Sequence, residues 1–297
     1  MQSYLNIVKH ILENGIAKAD RTGTGVKSVA GVMFEHDMST GFPLLTTKKM
    51  PFKVMAVELE FFIKGLTDKE WLKERNCHIW DEWCSPDKVP YAHDEETKRK
   101  MTEERDLGPI YGFQWRHFGA EYKDFNTDYS SQGVDQFKKL VDTIKNNPTD
   151  RRMLVMAWNP SMIEKMALPP CHYNFQVTIT NDKLNLMWNQ RSVDVALGLP
   201  FNISSYALLL HLLAKETGYK EGRLIGFLGD THIYSNHIEG LQEQLTRDPD
   251  KYPLPHVETL PQRSGQAKNF SIFDWEYTDS EIVEYESYPR IKFPIAV

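Results

Sequence analysis

A cysteine and an arginine on two consecutive predicted strands are the residues best suited to chemistry in this sequence. Cys171 follows two prolines in ALPPCHYNFQVTIT, and Arg191 and Ser192 end the stretch KLNLMWNQRS. The two residues between these strands, Asn181–Asp182, tolerate positive φ and suit the centre of a tight hairpin turn. Facing positions then place Cys171 opposite Ser192. In the same register His172 faces Arg191.

A guanidinium beside a thiol favours the thiolate, which is the nucleophilic form of cysteine. The charge of Arg191 could equally hold an anionic substrate. A lone cysteine is more commonly a buried core residue. The pattern alone therefore leaves Cys171 open as a nucleophile or as part of the core.

The composition excludes several classes of protein. The chain has 297 residues with 41% hydrophobic content, enough for a sizeable core. Its three cysteines form no CxxC pair, which predicts neither a disulfide framework nor a zinc site and indicates a reducing compartment. A net charge of −6 argues against general nucleic-acid binding. No signal-peptide core and no apolar run of ~20 residues occurs, so we expect a cytoplasmic protein without a membrane partner.

The N-terminal part predicts a helix, a polar turn and a strand. The helix is expected to begin at Ser3 as N-cap and to end at Gly15. In DRTGTG, backbone N–H groups and Arg21 could bind an anion, although a plain polar turn fits equally well. A strand is expected around residues 27–35.

The stretch FKVMAVELEFFIKG predicts a buried helix. It carries Glu58 and Glu60 on different faces, and because buried helices rarely keep free carboxylates we expect one of them to have a function. TDKE predicts a second helix with Thr67 as its N-cap. Trp80 and Trp83 would share a helical face, as core or as a ligand platform.

Three features follow in the middle of the chain. Residues 84–106 are charged and carry two prolines without apolar periodicity, which predicts an exposed insertion. An amphipathic helix is expected over residues 134–147. Arg151 and Arg152 begin a buried strand, where they suit phosphate binding or form a solvated pair.

The last third completes the predicted fold. ISSYALLLHLLAKETG predicts a central buried helix that ends at Gly218. The strand RLIGFLGD follows and brings His232 and Tyr234 to one side; short strands are expected at 254–260 and 270–273. No HxxxH spacing occurs, so no metal is expected. The apolar tail could fold over a ligand. Without repeats or linkers, residues 1–297 are expected to form a single α/β domain.

Several motifs together resemble those of the thymidylate synthase family, in order and over the whole chain. They are DRTGTG, the Glu58 helix, IWDEW, LGPIYGFQWRHFGAEY, DRR, MALPPCHYNFQ, QRSVDVALGLPFNISSYALL, GDTHIYSNH and the closing IAV. The resemblance implies an α+β fold with a large mixed sheet flanked by helices, and a homodimer in which this sheet packs against its copy.

The resemblance also implies reductive methylation of dUMP to dTMP with 5,10-methylenetetrahydrofolate as one-carbon and hydride donor. A covalent adduct would join Cys171 to C6 of the nucleotide. The implied catalytic residues are Cys171, Glu58, Tyr111, His172, Arg191 and Asp194. The implied dUMP contacts are Arg21, Arg191, Ser192, Asn202, His232 and Tyr234, with Arg151 and Arg152 from the second subunit. The implied folate contacts are Ile79, Trp80, Trp83, Asp194, Leu197, Gly198, Phe201, Ala296, Lys48 and Lys292.

Some residues depart from the family pattern. They are Glu60, Phe61, Asn174, Asn189 and Pro51. The hairpin register places Asn174 opposite Asn189, where the two amides can bond to each other. The departures raise the alternative of a dUMP hydroxymethylase on the same fold. A third alternative is a non-catalytic, nucleic-acid-binding homologue, against which the intact Cys171, Glu58 and arginines argue.

Overall fold

A six-stranded sheet organises this protein in a computed structural model that describes residues 1–20, 23–260 and 270–295. The helices are α1 (Gln2–Asn14), α2 (Phe52–Ile63), α3 (Lys69–Lys73), α4 (Glu95–Glu103), α5 (Tyr111–His117), α6 (Gln136–Asn146), α7 (Gly198–Thr217) and α8 (Ile238–Leu245). The strands are β1 (Ile16–Lys18), β2 (Val26–Asp37), β3 (Leu154–Met156), β4 (His172–Thr180), β5 (Lys183–Asp194), β6 (Lys220–Tyr234), β7 (His256–Thr259) and β8 (Ser280–Val283).

The sheet is mixed, as predicted. Its strand order is β1-β2-β6-β5-β4-β3, and β7 pairs with β8 separately. All neighbours are antiparallel except β5 and β6, which run parallel. A parallel pair needs a crossover connection, and α7 supplies it. The fold prediction of a large mixed sheet flanked by helices is confirmed.

Two apolar helices form much of the core on one side of the sheet. The α7 sequence is apolar nearly all round, and α7 is buried along most of its length before it ends at Gly218, which has a left-handed φ of 78°. The α2 helix is buried in the same way. The core cluster runs from Tyr4 in α1 to Trp275 near the C-terminus. Both helices were predicted, because continuous apolar runs are a local signal.

The opposite face of the sheet carries a row of side chains that no element of the described residues covers. Strand registers align Met33, Phe227, Asn189, Asn174 and Met156 across five strands. Met33 is 56% exposed and Phe227 44%. We call this surface the open sheet face.

The central hairpin follows the predicted register over most of its length. Asn181 and Asp182 have φ of 50° and 57°, and Asn174 pairs with Asn189. Beyond that pair an irregularity shifts the register, so His172 pairs with Gln190. The predicted pairing of His172 with Arg191, and that of Cys171 with Ser192, is therefore wrong. A bulge inserts one residue on one strand and offsets every pair beyond it.

Two predicted helix N-caps are corrected. The N-cap of α1 is Met1, and the Ser3 hydroxyl donates instead to the Glu35 carbonyl. The N-cap of α3 is Asp68, whose side chain accepts from the Glu70 N–H, so Thr67 is not the cap. Capping depends on backbone geometry that the sequence motif alone does not determine.

Trp80 and Trp83 lie in consecutive turns and do not share a helical face. Trp80 packs edge-on against Tyr111 with ring centroids 6.2 Å apart, whereas Trp83 stacks on Tyr91 at 5.8 Å. The C-terminal region also differs from expectation. Residues 270–273 enter a turn, and the strand that pairs with β7 is β8.

Residues 84–106 contain α4, a helix capped by Asp94. Most of α4 is exposed, but Cys84, Met101 and Asp106 are buried and connect the segment to the rest of the chain. Over residues 1–20, 23–260 and 270–295, no helix has the length and apolar character of a membrane span.

Candidate active site

Cys171 lies immediately before β4, whose register shifts between His172 and Asn174. Its backbone N–H donates to the Tyr111 hydroxyl at 2.8 Å, and its carbonyl accepts from the Arg191 N–H at 2.8 Å. The corrected register therefore still brings the thiol-bearing residue next to Arg191. Burial raises the pKa of the Cys171 thiol, and the positive charge of Arg191 opposes this rise. The predicted effect of the arginine has the right sign, but the effect of burial on the pKa is larger.

The Arg191 side chain is held by the two prolines before the cysteine. Its Nε donates to the Pro170 carbonyl at 3.0 Å and its Nη2 to the Pro169 carbonyl at 2.9 Å. The guanidinium also lies over the Trp158 ring, 5.4 Å from its centroid. These contacts orient a cation that remains exposed to an incoming anion.

A series of stacked rings forms one wall beside Cys171. Tyr111 lies between Phe62 and His172, with centroid distances of 4.8 and 4.4 Å. The His172 Nδ1 lies 2.9 Å from the Tyr206 hydroxyl, and Tyr206 stacks on Trp188 at 5.3 Å. Burial lowers the pKa of His172 to about 3 and raises that of Tyr111 well above 10. Both side chains are therefore uncharged at neutral pH.

Glu58 and Glu60 have different surroundings, although both lie on α2. The Trp80 indole donates to Glu58 Oε1 at 2.8 Å. Burial raises the pKa of Glu58 to about 7, and the Trp80 hydrogen bond opposes this rise. A carboxyl group with this pKa can both accept and donate a proton near neutral pH.

Glu60 serves a structural contact away from this site. Its Oε1 accepts from Lys64 Nζ at 2.5 Å, and its Oε2 accepts from the Tyr277 N–H at 2.8 Å. It is 2% exposed. Glu60 thus fastens the C-terminal region to α2.

Asn202, near the start of α7, is oriented by a buried hydrogen-bond chain that sequence reasoning missed. The Trp188 indole donates to Gln190 Oε1 at 3.2 Å, and Gln190 Nε2 donates to Asn202 Oδ1 at 3.0 Å. Because an indole can only donate, it determines the orientation of the Gln190 amide and through it that of Asn202. The signal available was Gln190 itself, a polar residue in an apolar strand next to Arg191.

The junction of β5 and α7 gathers several predicted folate contacts. Asp194 Oδ1 accepts from the N–H groups of Ala196 and Leu197 at 2.9 and 3.3 Å. His237 was not predicted; it is fully buried, its Nδ1 is 3.7 Å from Asp194 Oδ1, and its Nε2 is 2.6 Å from the Pro294 carbonyl. His237 thus lies between Asp194 and the C-terminal segment, and the hydrogen bond that it makes is to the latter.

The other predicted folate and ribose contacts lie around this junction. Gly198 and Phe201 belong to the first turn of α7. The His232 and Tyr234 rings lie 5.3 Å apart on β6, on one side as predicted. Ile79 is 42% exposed.

The two lysines predicted near the folate tail differ in exposure. Lys48 is 4% exposed and donates to the Ala196 carbonyl at 2.5 Å. Burial lowers its pKa to about 8. Lys292 is exposed. Of the two, only Lys292 is placed to meet a solvated anion.

Two of the predicted phosphate-binding residues lie on the edge of the sheet and not beside Arg191. Arg151 and Arg152 are exposed before the edge strand β3, and Arg152 pairs with Asp150 at 2.8 Å. Arg21 lies outside the described residues, as does Ala296 of the predicted folate contacts. The loop after Arg21 is anchored where the Ser235 N–H donates to the Gly25 carbonyl at 2.9 Å, next to Tyr234.

The thymidylate synthase family model matches residues 2–297. The chain belongs to the thymidylate synthase family. The resemblance seen in the motifs is therefore confirmed. The chain is 47% identical over 294 residues to the human thymidylate synthase, covering 99% of this chain and 90% of that protein.

Two bifunctional dihydrofolate reductase-thymidylate synthases are also similar. The protein from Paramecium tetraurelia is 44% identical over 99% of this chain, and that from Leishmania major 44% identical over 100%. The chain spans 61% and 55% of the lengths of these two proteins. Within the part of the chain that the structure describes, no group of three His, Cys, Asp or Glu side chains is placed to bind a metal.

Proposed function

We propose that this protein methylates dUMP to dTMP with 5,10-methylenetetrahydrofolate as one-carbon and hydride donor. The observation that carries the proposal is the position of Cys171 between Arg191 and the Tyr111 hydroxyl, in a chain of this family. In the first step the Cys171 sulfur bonds to C6 of the uracil, and the C5=C6 electron pair makes C5 nucleophilic. C5 then attacks the one-carbon unit of the folate, and the bond from that carbon to the folate nitrogen breaks. C5 gives up its proton, hydride from the folate reduces the one-carbon unit to a methyl group, and the Cys171 sulfur leaves C6.

The protonation states of the wall residues support defined roles. Glu58, with its pKa near 7, serves as the general acid/base and acts through water. His172 is neutral, so it contributes as a hydrogen-bonding group and not as a cation. Tyr111 is a neutral phenol that holds the Cys171 backbone.

Cationic and polar groups would hold the nucleotide. Arg191, Ser192 and Arg21 bind the phosphate, joined by Arg151 and Arg152 of a second copy of the chain. Asn202 reads the uracil edge, and its orientation by Gln190 supports this role. His232 and Tyr234 contact the ribose.

The folate is proposed to lie between the Trp80 turn and the junction of β5 and α7. Its contacts would be Ile79, Trp80, Trp83, Asp194, Leu197, Gly198, Phe201 and Ala296. Lys292 would meet the glutamate tail. Lys48 would support the junction through its hydrogen bond to the Ala196 carbonyl.

The surroundings of the residues that depart from the family pattern favour hydride transfer over hydration. Hydration would need polar groups that order a water at C5 of the nucleotide. Asn189 Nδ2 donates to Asn174 Oδ1 at 2.7 Å, and both residues lie on the open sheet face. Glu60 is bonded to Lys64 and to Tyr277. None of these residues therefore supports the hydroxymethylase alternative.

Product analysis tests the proposal. Incubation with dUMP and 5,10-methylenetetrahydrofolate should give dTMP and dihydrofolate in equal amounts, measured by mass spectrometry. Cys171→Ala should abolish turnover and retain dUMP binding, whereas Cys84→Ala should remain active as the matched cysteine control. Formation of 5-hydroxymethyl-dUMP with tetrahydrofolate released unoxidised would contradict the proposal.

A further inference from the structure

Lys69 is a fully buried lysine outside the site described above. None of its surface is exposed, which is rare for lysine. Its Nζ donates to three backbone carbonyls, those of Asp81 at 2.8 Å, Trp83 at 2.8 Å and Met101 at 2.6 Å. An ammonium group has three hydrogens, so each is used on a backbone oxygen.

The three carbonyls belong to two different segments. Asp81 and Trp83 follow Trp80 in its turn, whereas Met101 lies in the last turn of α4, within residues 84–106. Carbonyls in the last turn of a helix lack partners within the helix and carry the negative end of its dipole. The Lys69 ammonium therefore joins the end of α4 to the Trp80 turn.

The Trp80 turn reaches the proposed general acid/base directly. The Trp80 indole donates to Glu58 at 2.8 Å, and its ring packs edge-on against Phe62 and Tyr111. This hydrogen bond opposes the effect of burial on the pKa of Glu58. If the indole were displaced, the Glu58 carboxyl would lose this hydrogen bond.

We propose that Lys69 is a positioning residue that ties residues 84–106 to the Trp80 turn and thereby maintains the hydrogen bond between Trp80 and Glu58. The inference deepens the proposed function and rests on the role proposed for Glu58. Lys69 acts indirectly, through the backbone of the Trp80 turn. Residues 84–106 then contribute to the site through the Met101 carbonyl.

Hydrogen–deuterium exchange tests the first half of the proposal without measuring activity. Lys69→Met keeps the length of the side chain and removes its donors. Lys73→Met is the matched control, because Lys73 lies one turn later on α3, donates to the next carbonyl, Thr102, at 3.1 Å and is partly exposed. Exchange in residues 79–84 and 95–104 should accelerate in Lys69→Met only. Wild-type exchange in residues 79–84 of that variant would overturn the proposal.

The pH dependence of turnover tests the second half. Lys69→Met and Trp80→Phe should both raise the pKa of Glu58 seen in the profile, with Lys73→Met coinciding with wild type. Turnover of Lys69→Met should fall roughly tenfold to a hundredfold, because small displacements in a site are costly. The titratable groups near Glu58 are Cys77, Tyr111 and Tyr206, whose pKa values burial raises, so they stay protonated near neutral pH.

The outcomes separate this inference from the proposed function. A shift in Trp80→Phe without one in Lys69→Met would overturn the inference. If neither Trp80→Phe nor Glu58→Gln alters the profile, the role of Glu58 fails, and the exchange comparison alone decides whether Lys69 orders the turn. Should Lys69→Met not fold, Lys69→Gln takes its place with the same expectations. The glutamine side chain is shorter than that of lysine, and its carbonyl oxygen repels the three backbone carbonyls.

Discussion

Burial shifts the pKa values of Cys171 and of the titratable groups near it, upward for some and downward for others. It raises the pKa of the Cys171 thiol and that of Glu58, and it lowers the pKa of His172. In each case the uncharged form is favoured, because a charge loses hydration inside the protein. The wall of the site is therefore close to neutral, and the positive charge of Arg191 remains available for an anion.

Glu58→Gln should stabilise the protein at high pH while it reduces turnover. The pKa of Glu58 rises from 4.5 to about 7 on folding, so its contribution to stability is full below pH 4.5 and is lost as the pH rises through 7. The glutamine oxygen still accepts from Trp80 but carries no charge. The free energy of unfolding should exceed that of wild type by about 1–3 kcal/mol at pH 8.5. Turnover should fall by about 10²–10⁴.

Urea denaturation at pH 5 and pH 8.5 measures the difference. The two proteins should have similar stability at pH 5 and diverge at pH 8.5. A difference in unfolding free energy that is equal at both pH values would show that Glu58 does not titrate in this range.

At the scale of elements, the packing of the sheet on α7 depends on a close approach between Gly226 and the Trp188 ring. A Cβ on Gly226 of β6 would lie 2.4 Å from the Trp188 ring, so the ring needs glycine there. Trp188 in turn stacks on Tyr206 of α7, whose hydroxyl meets His172. The absence of a side chain at Gly226 thus affects the position of His172, three contacts away.

Gly226→Ala should displace the Trp188 ring and disturb Tyr206 and His172. Overpacking of this kind costs about 1–3 kcal/mol of stability. Gly218→Ala is the control, because Gly218 has a left-handed φ of 78° with open space around it and should lose about 1 kcal/mol through backbone strain alone. Thermal unfolding and dUMP affinity should both decline in Gly226→Ala, and only thermal stability in Gly218→Ala. Unchanged dUMP affinity in a destabilised Gly226→Ala would argue that Trp188 does not position the site.

Elements were predictable where their signals were local. Continuous apolar runs predicted α2 and α7, and Asn181–Asp182 predicted the hairpin turn. The bulge before Asn174 was not predictable, since the pairing of β4 with both neighbours decides it. Lys69 and His237 were missed for a related reason: their partners lie 12 to 57 residues away, and an isolated lysine or histidine carries no pattern.

At the scale of the whole molecule, the surfaces of the chain support the proposed homodimer. The open sheet face exposes Met33 and Phe227, as expected of a surface that packs on a partner. On this face an amide hydrogen bond joins Asn189 to Asn174, which lowers the cost of covering these two side chains. Arg151 and Arg152 project from the edge of the same sheet, apart from their own Arg191. A second copy that brings its arginines to this Arg191 would complete the phosphate site.

Subunit mixing should restore activity to two inactive variants. Cys171→Ala and the double variant Arg151→Ala/Arg152→Ala are each expected to be inactive. In a heterodimer, one site would combine both defects and the other would have neither. Full exchange forms heterodimers from half of the chains, so roughly a quarter of wild-type activity should return, measured as turnover per chain. Cys171→Ala mixed with Glu58→Gln is the matched control: both residues come from the same chain, so each heterodimer site keeps one defect and no activity returns. Heterodimers that form by mass spectrometry without regaining activity in the first mixture would show that each chain builds its own phosphate site.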